Sequence, residues 1–236
     1  MKPTNVFALM AMLFIALNPL SAQNFLAPSF TYSHDKIAYL TMDDGTQHEV
    51  YIKKIKREKG LIEEMKVEDA NGKKVKIKPE EIKIMYLPQS GWDKMTKGMD
   101  FISDAQQWDN KAVDPNKIAD GYVYFEKAEV QVKKKKETLM MQLLNPAFSS
   151  KIKVYHDPYA KETASVGVGG MKLAGGDAKS YYVSVGGKAA YKLEKKNYDK
   201  EFPKLFGKCK AIKQKYDKVK WSEFEGHVYE DSQNCQ

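Results

Sequence analysis

From Lys36 to Pro88 apolar and polar residues alternate in short runs broken by turn residues, the period of half-buried strands. Ile37 to Met42 predicts a strand and Asp43-Asp44-Gly45 a turn whose glycine takes positive φ. Val50, Ile52 and Ile55 mark a second, lysine-rich strand that stops at Gly60, and Leu61, Met65 and Val67 mark a third. Asn71-Gly72 is a hairpin signal, after which Val75 and Ile77 alternate with lysines. Pro79-Glu80-Glu81-Ile82 predicts a single tight helical turn, and Ile84 to Leu87 a closing strand. This order predicts a small, strongly bent antiparallel β-barrel over residues 30–88.

Residues 89–120 differ. Trp92, Met95, Met99 and Ile102 recur at helical spacing and predict an amphipathic helix, with Ser90 as its N-cap. Asp109 to Asp120 is polar, contains Asp114-Pro115, and predicts a linker or long loop. Strands return with Tyr122 to Val132, Thr138 to Leu144 and Lys151 to Tyr155. Tyr181 to Val185 and Lys188 to Leu193 flank Gly186-Gly187 as a further hairpin, and Gly167 to Gly176 predicts a loop before it. After Asn197, a good N-cap, the spacing becomes helical. Tyr198, Phe202, Leu205 and Phe206 share one face interrupted by Pro203; Cys209, Ile212, Tyr216 and Val219 follow, then Trp221, Phe224 and Val228. The fold class expected is α+β: the small barrel, a helical connector (89–120), and a second antiparallel β-rich module ending in short helices (121–236).

The amino terminus follows neither period. Lys2 precedes an unbroken apolar run from Val6 to Leu17, then Asn18-Pro19 and Leu20-Ser21-Ala22, which reads as a signal peptide over 1–22 with cleavage near Ala22. The expectation is export to the periplasm, cell envelope or medium; a retained amphipathic or buried core helix is the alternative. No later stretch is long and apolar enough for a transmembrane helix.

Composition sharpens this. The 236 residues are 42% hydrophobic and 30% charged, with net charge +8, so a globular, basic chain is expected. Arg57 is the only arginine among the candidate anion-binding residues Lys53, Lys54, Lys56, Arg57, Lys133, Lys134, Lys135 and Lys136. That scarcity of bidentate donors argues against nucleic acid and leaves an anionic glycan or lipopolysaccharide as ligand. The scarcity of arginine favours the other reading of these lysines, that they guard exposed strand edges against sheet-to-sheet aggregation. In an oxidising compartment the two cysteines, Cys209 and Cys235, read as a structural bridge, with two separate thiols as the alternative.

No metal or cofactor motif appears. His34, His48, His156 and His227 fall in no zinc spacing, and Gly167-Val168-Gly169-Gly170 is followed by no Gly-Lys-Ser/Thr step. His156-Asp157 is the best local acid–base pair, set in a loop after a strand.

Two resemblances are carried by these residues. The amino-terminal strand order resembles SH3-like and Sm-like small barrels in pattern, which implies no particular function. Ser180-Tyr181-Tyr182-Val183, Asn197-Tyr198, Phe202, Leu205-Phe206-Gly207-Lys208-Cys209, Val228-Tyr229 and Asn234-Cys235 resemble a group of uncharacterised exported proteins of Bacteroidetes. That resemblance implies a cell-envelope or secreted setting and no activity. The expected function is therefore a non-catalytic, exported binding or scaffold protein for a protein or other envelope component. A secreted enzyme using His156 and Asp157, and a binder of anionic glycan, are the alternatives.

Overall fold

The computed structural model describes residues 25–91, 108–160 and 179–235. The expected signal peptide, the Trp92–Ile102 stripe and the Gly167–Gly176 loop lie outside the described residues.

Among the described residues, ten strands form two antiparallel sheets. The first contains β1 (Ile37–Met42), β2 (Gln47–Glu58), β3 (Leu61–Glu68), β4 (Lys74–Ile77), β5 (Ile82–Pro88), β6 (Tyr122–Val132) and β7 (Lys135–Gln142), in spatial order β4-β3-β2-β1-β5-β6-β7. The second contains β8 (Ile152–His156), β9 (Ser180–Val185) and β10 (Tyr191–Glu194), in order β10-β9-β8. Four α-helices are described: α1 (Pro115–Ala119), α2 (Tyr198–Phe206), α3 (Lys210–Lys215) and α4 (Phe224–Asn234). The architecture is α+β, mostly antiparallel sheet with short helices.

The turns form where glycine frees the backbone. Gly45 and Gly72 take φ of 87° and 78° in the first hairpins, and Gly186 and Gly187 take 58° and 75° between β9 and the β10 strand. Pro79–Glu81 makes the expected single turn, a 3-10 helix whose Glu81 carboxylate accepts from the Lys78 N–H at 3.1 Å.

Among the described residues no closed barrel forms. β4 is too short to cover β3, pairing only Met65 to Glu68 and leaving Leu61 to Glu64 without a strand on that side. The sheet instead extends through β6 and β7 and curls until Cα atoms of β7 come within 8 Å of β3. β6 explains the extension. Val123 and Phe125 turn one way into a core with Leu40, Ile52, Met65 and Met85, while Tyr124 turns the other way into a second core. A strand buried on both faces reads as a continuous apolar run. The second core holds the sheet of β8–β10, the aromatic faces of α2 and α4, including Tyr198, Phe206 and Phe224, and Trp221 from the 3-10 turn before α4.

Three local features depart from the sequence pattern. Asp109 to Asp120 is not wholly a linker: Asp114 caps α1, accepting from the Asn116 N–H at 2.9 Å, and Pro115 takes the first helical position. In α2 the helix runs through Pro203, which is exposed, so water reaches the carbonyl its missing N–H leaves free. Asn197 does not cap α2; its Oδ1 accepts from the Glu194 N–H at 2.8 Å in the preceding 3-10 turn.

Cys209 and Cys235 are joined by a disulfide with Cα atoms 5.2 Å apart, tying the start of α3 to the end of α4. Reduction, or paired substitution by serine, is expected to lower stability by about 3 kcal/mol in the chain-entropy account. Urea denaturation with and without a thiol reductant reads this directly, and an unchanged midpoint would contradict it.

Gly60 joins the two halves. Its φ is 84° in the β2–β3 turn, and a Cβ there would meet the Pro158 carbonyl oxygen at 2.1 Å. Gly60→Ala is expected to cost about 2 kcal/mol by combining backbone strain with displacement of the loop after β8. A denaturation midpoint equal to that of the parent chain would show that this loop yields freely.

Candidate functional site

The uncovered part of β3, the 3-10 turn Pro79–Glu81 and the free edge of β7 enclose an open cleft of about 410 Å³. Leu61 and Ile62 from β3 and Leu139 and Met140 from β7 give it apolar walls. Its rim is charged. Glu58 pairs with Lys59 at 3.4 Å, Glu63 with Lys56 at 2.8 Å, and Lys127 with Asp43. The Lys127 ammonium also donates to the Glu80 carbonyl at 2.7 Å. The exposed Glu80 carboxylate has no ion pair among the described residues.

A small cavity of about 20 Å³ adjoins the cleft, sharing Leu61, Ile62 and Met140. Gln142 lines it; the side chain accepts from the Ser29 N–H at 3.2 Å, while its buried amide nitrogen has no partner among the described residues. The space is enough for about one water molecule. Phe30 and Arg57 stand at its mouth, with the guanidinium 5.9 Å from the Phe30 ring.

The sequence-predicted residues are dispersed. Arg57 is committed to the Gly60 carbonyl and the Tyr32 hydroxyl, each at 3.1 Å. Lys53 pairs with Glu68 at 3.5 Å, and Lys54 stands opposite Lys66 across the β2–β3 ladder. The pairing of Lys56 with Glu63 raises its pKa. The second group spans the β6–β7 turn and the start of β7; Lys133 takes φ of 56° in the turn, and Lys136 pairs with Glu129 at 2.8 Å. Lys133, Lys134 and Lys135 are exposed and make no ion pair among the described residues. In the sheet ladder β1, β5 and β6 separate the two lysine groups.

His156 and Asp157 are adjacent in sequence but engage different partners. His156 packs edge-on against Phe30 at 5.2 Å beside the small cavity. Asp157 is 1% exposed and held by the Ser180 hydroxyl at 2.7 Å, the Lys192 ammonium at 2.8 Å and the Tyr159 N–H at 2.9 Å. A carboxylate fixed by three donors inside the protein pins the loop after β8 to β9 and β10.

A second acidic centre was not anticipated. Glu126 accepts from Lys153 at 2.7 and 2.8 Å and from the Tyr155 hydroxyl at 2.7 Å, with the Tyr124 hydroxyl at 3.4 Å. Burial first, and the Glu126 charge second, push both tyrosines far above their ordinary pKa, so they remain donors. The signal lay in the sequence as a lone acid within the apolar run Tyr122-Val123-Tyr124-Phe125-Glu126. This network joins β6 to β8 between the two sheets.

Cys209, Asp231 and Cys235 have ligand atoms within 4.8 Å of one another, but the disulfide occupies both sulfurs. Burial raises the pKa of Asp231, while Lys151 opposes that shift. No helix among the described residues is long and apolar enough to cross a membrane. Comparison with protein-family models, with curated proteins and with solved structures returns no match.

Proposed function

We propose that the chain is an exported, non-catalytic binding or scaffold protein of the cell envelope or medium, acting through the cleft between β3 and β7. The observation carrying this reading is that two strand edges flank an apolar-walled cleft open to solvent. Asp157 and Glu126, the carboxylates most enclosed by hydrogen-bond donors outside the helices, are consumed in holding strands together. The Val6–Leu17 run and the Cys209–Cys235 bridge both suit an oxidising compartment outside the cytoplasm. The likeness of the carboxyl-terminal part to exported Bacteroidetes proteins supports the same setting. The likeness of β1–β5 to SH3-like small barrels belongs to this reading too and supplies no ligand by itself.

The test places a photocrosslinking residue at Thr138, on the cleft wall, or at Val75, an exposed control position on β4. Discrete adducts from Thr138 alone, in the envelope or secreted fraction, are expected. Equal adducts at both positions, or a chain retained in the cytoplasm with none, would overturn the proposal.

A second reading rests on Lys133, Lys134 and Lys135, whose ammonium groups are unpaired among the described residues. They would hold an anionic glycan by point charges. Retention on heparin should then fall when these three are changed to glutamine and persist when Lys54, Lys66 and Lys73 are changed instead.

A further inference from the structure

We infer that the free edge of β7 accepts an extended peptide as an added antiparallel strand, basic at its amino end and acidic at its carboxyl end; this rests on the cleft reading above. The phase of the ladder decides which backbone groups are on offer. The Leu143 N–H donates to the Tyr124 carbonyl at 3.1 Å, directly beyond the Phe125–Gln142 pair. In an antiparallel ladder such bonded pairs alternate, so Glu137, Leu139 and Met141 turn their backbone groups toward β6. Lys136, Thr138 and Met140 turn theirs outward. The far side of β6 agrees: Glu129 and Gln131 bond away from β7, to Ala190. Among the described residues no strand and no backbone group meets the outward edge of Lys136 to Met140.

Such an edge recognises main chain rather than a particular side chain, so an extended polypeptide is the occupant whose chemistry fits it. Alternate side chains of that peptide would fall on the two faces of the sheet, beside Leu139 and Leu61 on one face and beside Met140 and Ile62 on the other. Antiparallel addition is the more stable pairing, and charge then sets which end of the peptide is basic. Lys133, Lys134 and Lys135 are unpaired at the start of β7, while the unpaired Glu80 lies near its Met140 end, where Lys127 both holds the Glu80 carbonyl and stands opposite Met140. A peptide running antiparallel to β7 therefore brings its amino end to Glu80 and its carboxyl end to the lysines. The lysines also shield the outer end of the edge from indiscriminate sheet pairing, which leaves Thr138 to Met140 as the usable stretch.

The experiment titrates the oxidised mature chain with a fluorescent peptide of two lysines, an alternating valine–threonine run and two glutamates. A second peptide exchanges the lysines and glutamates and keeps the composition. The first is expected to bind with Kd on the order of 10–100 µM, the second at least about tenfold more weakly, since like charges would then oppose at both ends. Thr138→Pro deletes an outward donor without removing a ladder bond, and should weaken the first peptide about tenfold. Glu80→Lys, at an exposed position, supplies an independent check and should weaken it about fivefold while improving the second. Amide shifts on titration should concentrate at Lys136 to Met140.

Equal affinity for the two peptides would overturn the inference, as would unchanged binding to both folded variants. Absence of binding near 1 mM peptide, while crosslinks from Thr138 persist, would overturn the added strand and leave the cleft reading intact. Absence of both would end both.

Discussion

Replacing Asn145 by alanine is expected to destabilise the protein by about 3–5 kcal/mol. Asn145 is 0% exposed at the corner between β7 and β8. Its amide nitrogen donates to the carbonyls of Phe148 and Ile152 at 2.9 and 2.8 Å, and its oxygen accepts from the Val154 N–H at 2.8 Å. One side chain thus replaces the backbone partners that a sharp change of sheet removes. Alanine would leave three buried backbone groups unsatisfied, each costing about 1–3 kcal/mol, with partial relief from entering water. Asn145→Asp is expected to be as severe, because a carboxylate would face two carbonyl oxygens. Urea denaturation of each variant measures the loss, and a value below about 1 kcal/mol would mean that the corner rearranges.

Acidification is expected to weaken the helical end of the protein, with His227 as the responsible group. His227 is 0% exposed, ringed by Tyr198, Phe202, Phe206 and Tyr216. Its Nδ1 lies 2.6 Å from the Tyr198 hydroxyl, and its Nε2 has no hydrogen-bond partner among the described residues. Burial lowers its pKa from 6.5 to about 4, with the Glu223 carboxylate, 4.0 Å from Nε2, pulling the other way. The folded protein then binds fewer protons than the unfolded chain below pH 6.5. Stability is therefore whole above that pH and drains as pH falls toward about 4, by roughly 2–3 kcal/mol once some relaxation of the pocket is allowed. His227→Gln, which keeps an acceptor for Tyr198, should flatten that part of the profile. Unfolding free energies from pH 7.5 to 4.5 decide the matter; parallel curves for parent and variant would assign the acid loss to other groups.

How much of this was legible in the sequence follows from the kind of force involved. Period and turn chemistry are local, so β1 to β5, the Pro79 turn and the β9–β10 hairpin could be placed from alternation and from Asn71-Gly72 and Gly186-Gly187. The enlargement of the first sheet was not local. Val123 and Phe125 belong to one core and Tyr124 to the other, and a run that is apolar throughout carries no mark of which strand it will join. Asn145 beside Pro146 read as punctuation between strands, although its side chain is a buried structural element. His156 and Asp157 looked like a pair because they adjoin in sequence, whereas successive residues of extended chain project to opposite sides. The cleft had no sequence signal of its own. It arises because β4 stops at Ile77 opposite Met65, and the resulting vacancy on β3 is a property of pairing, not of any residue.

Phe25, two positions after Gln23, has a consequence for how the chain acquires its structure. Its ring packs against Phe148, Tyr181 and Phe224, and its N–H donates to the Glu225 carboxylate at 2.9 Å across a separation of 200 residues. The earliest and latest parts of the described chain therefore meet in one core. A chain delivered amino end first would hold Phe25 unburied until α4 arrives, so the second core completes only once α4 has been delivered. Folding that waits on the last helix leaves a window in which Phe25, Tyr181 and Phe224 are open to holding factors and proteases. The time the chain spends in that window is set by the rate of its passage, not by the stability of the finished protein.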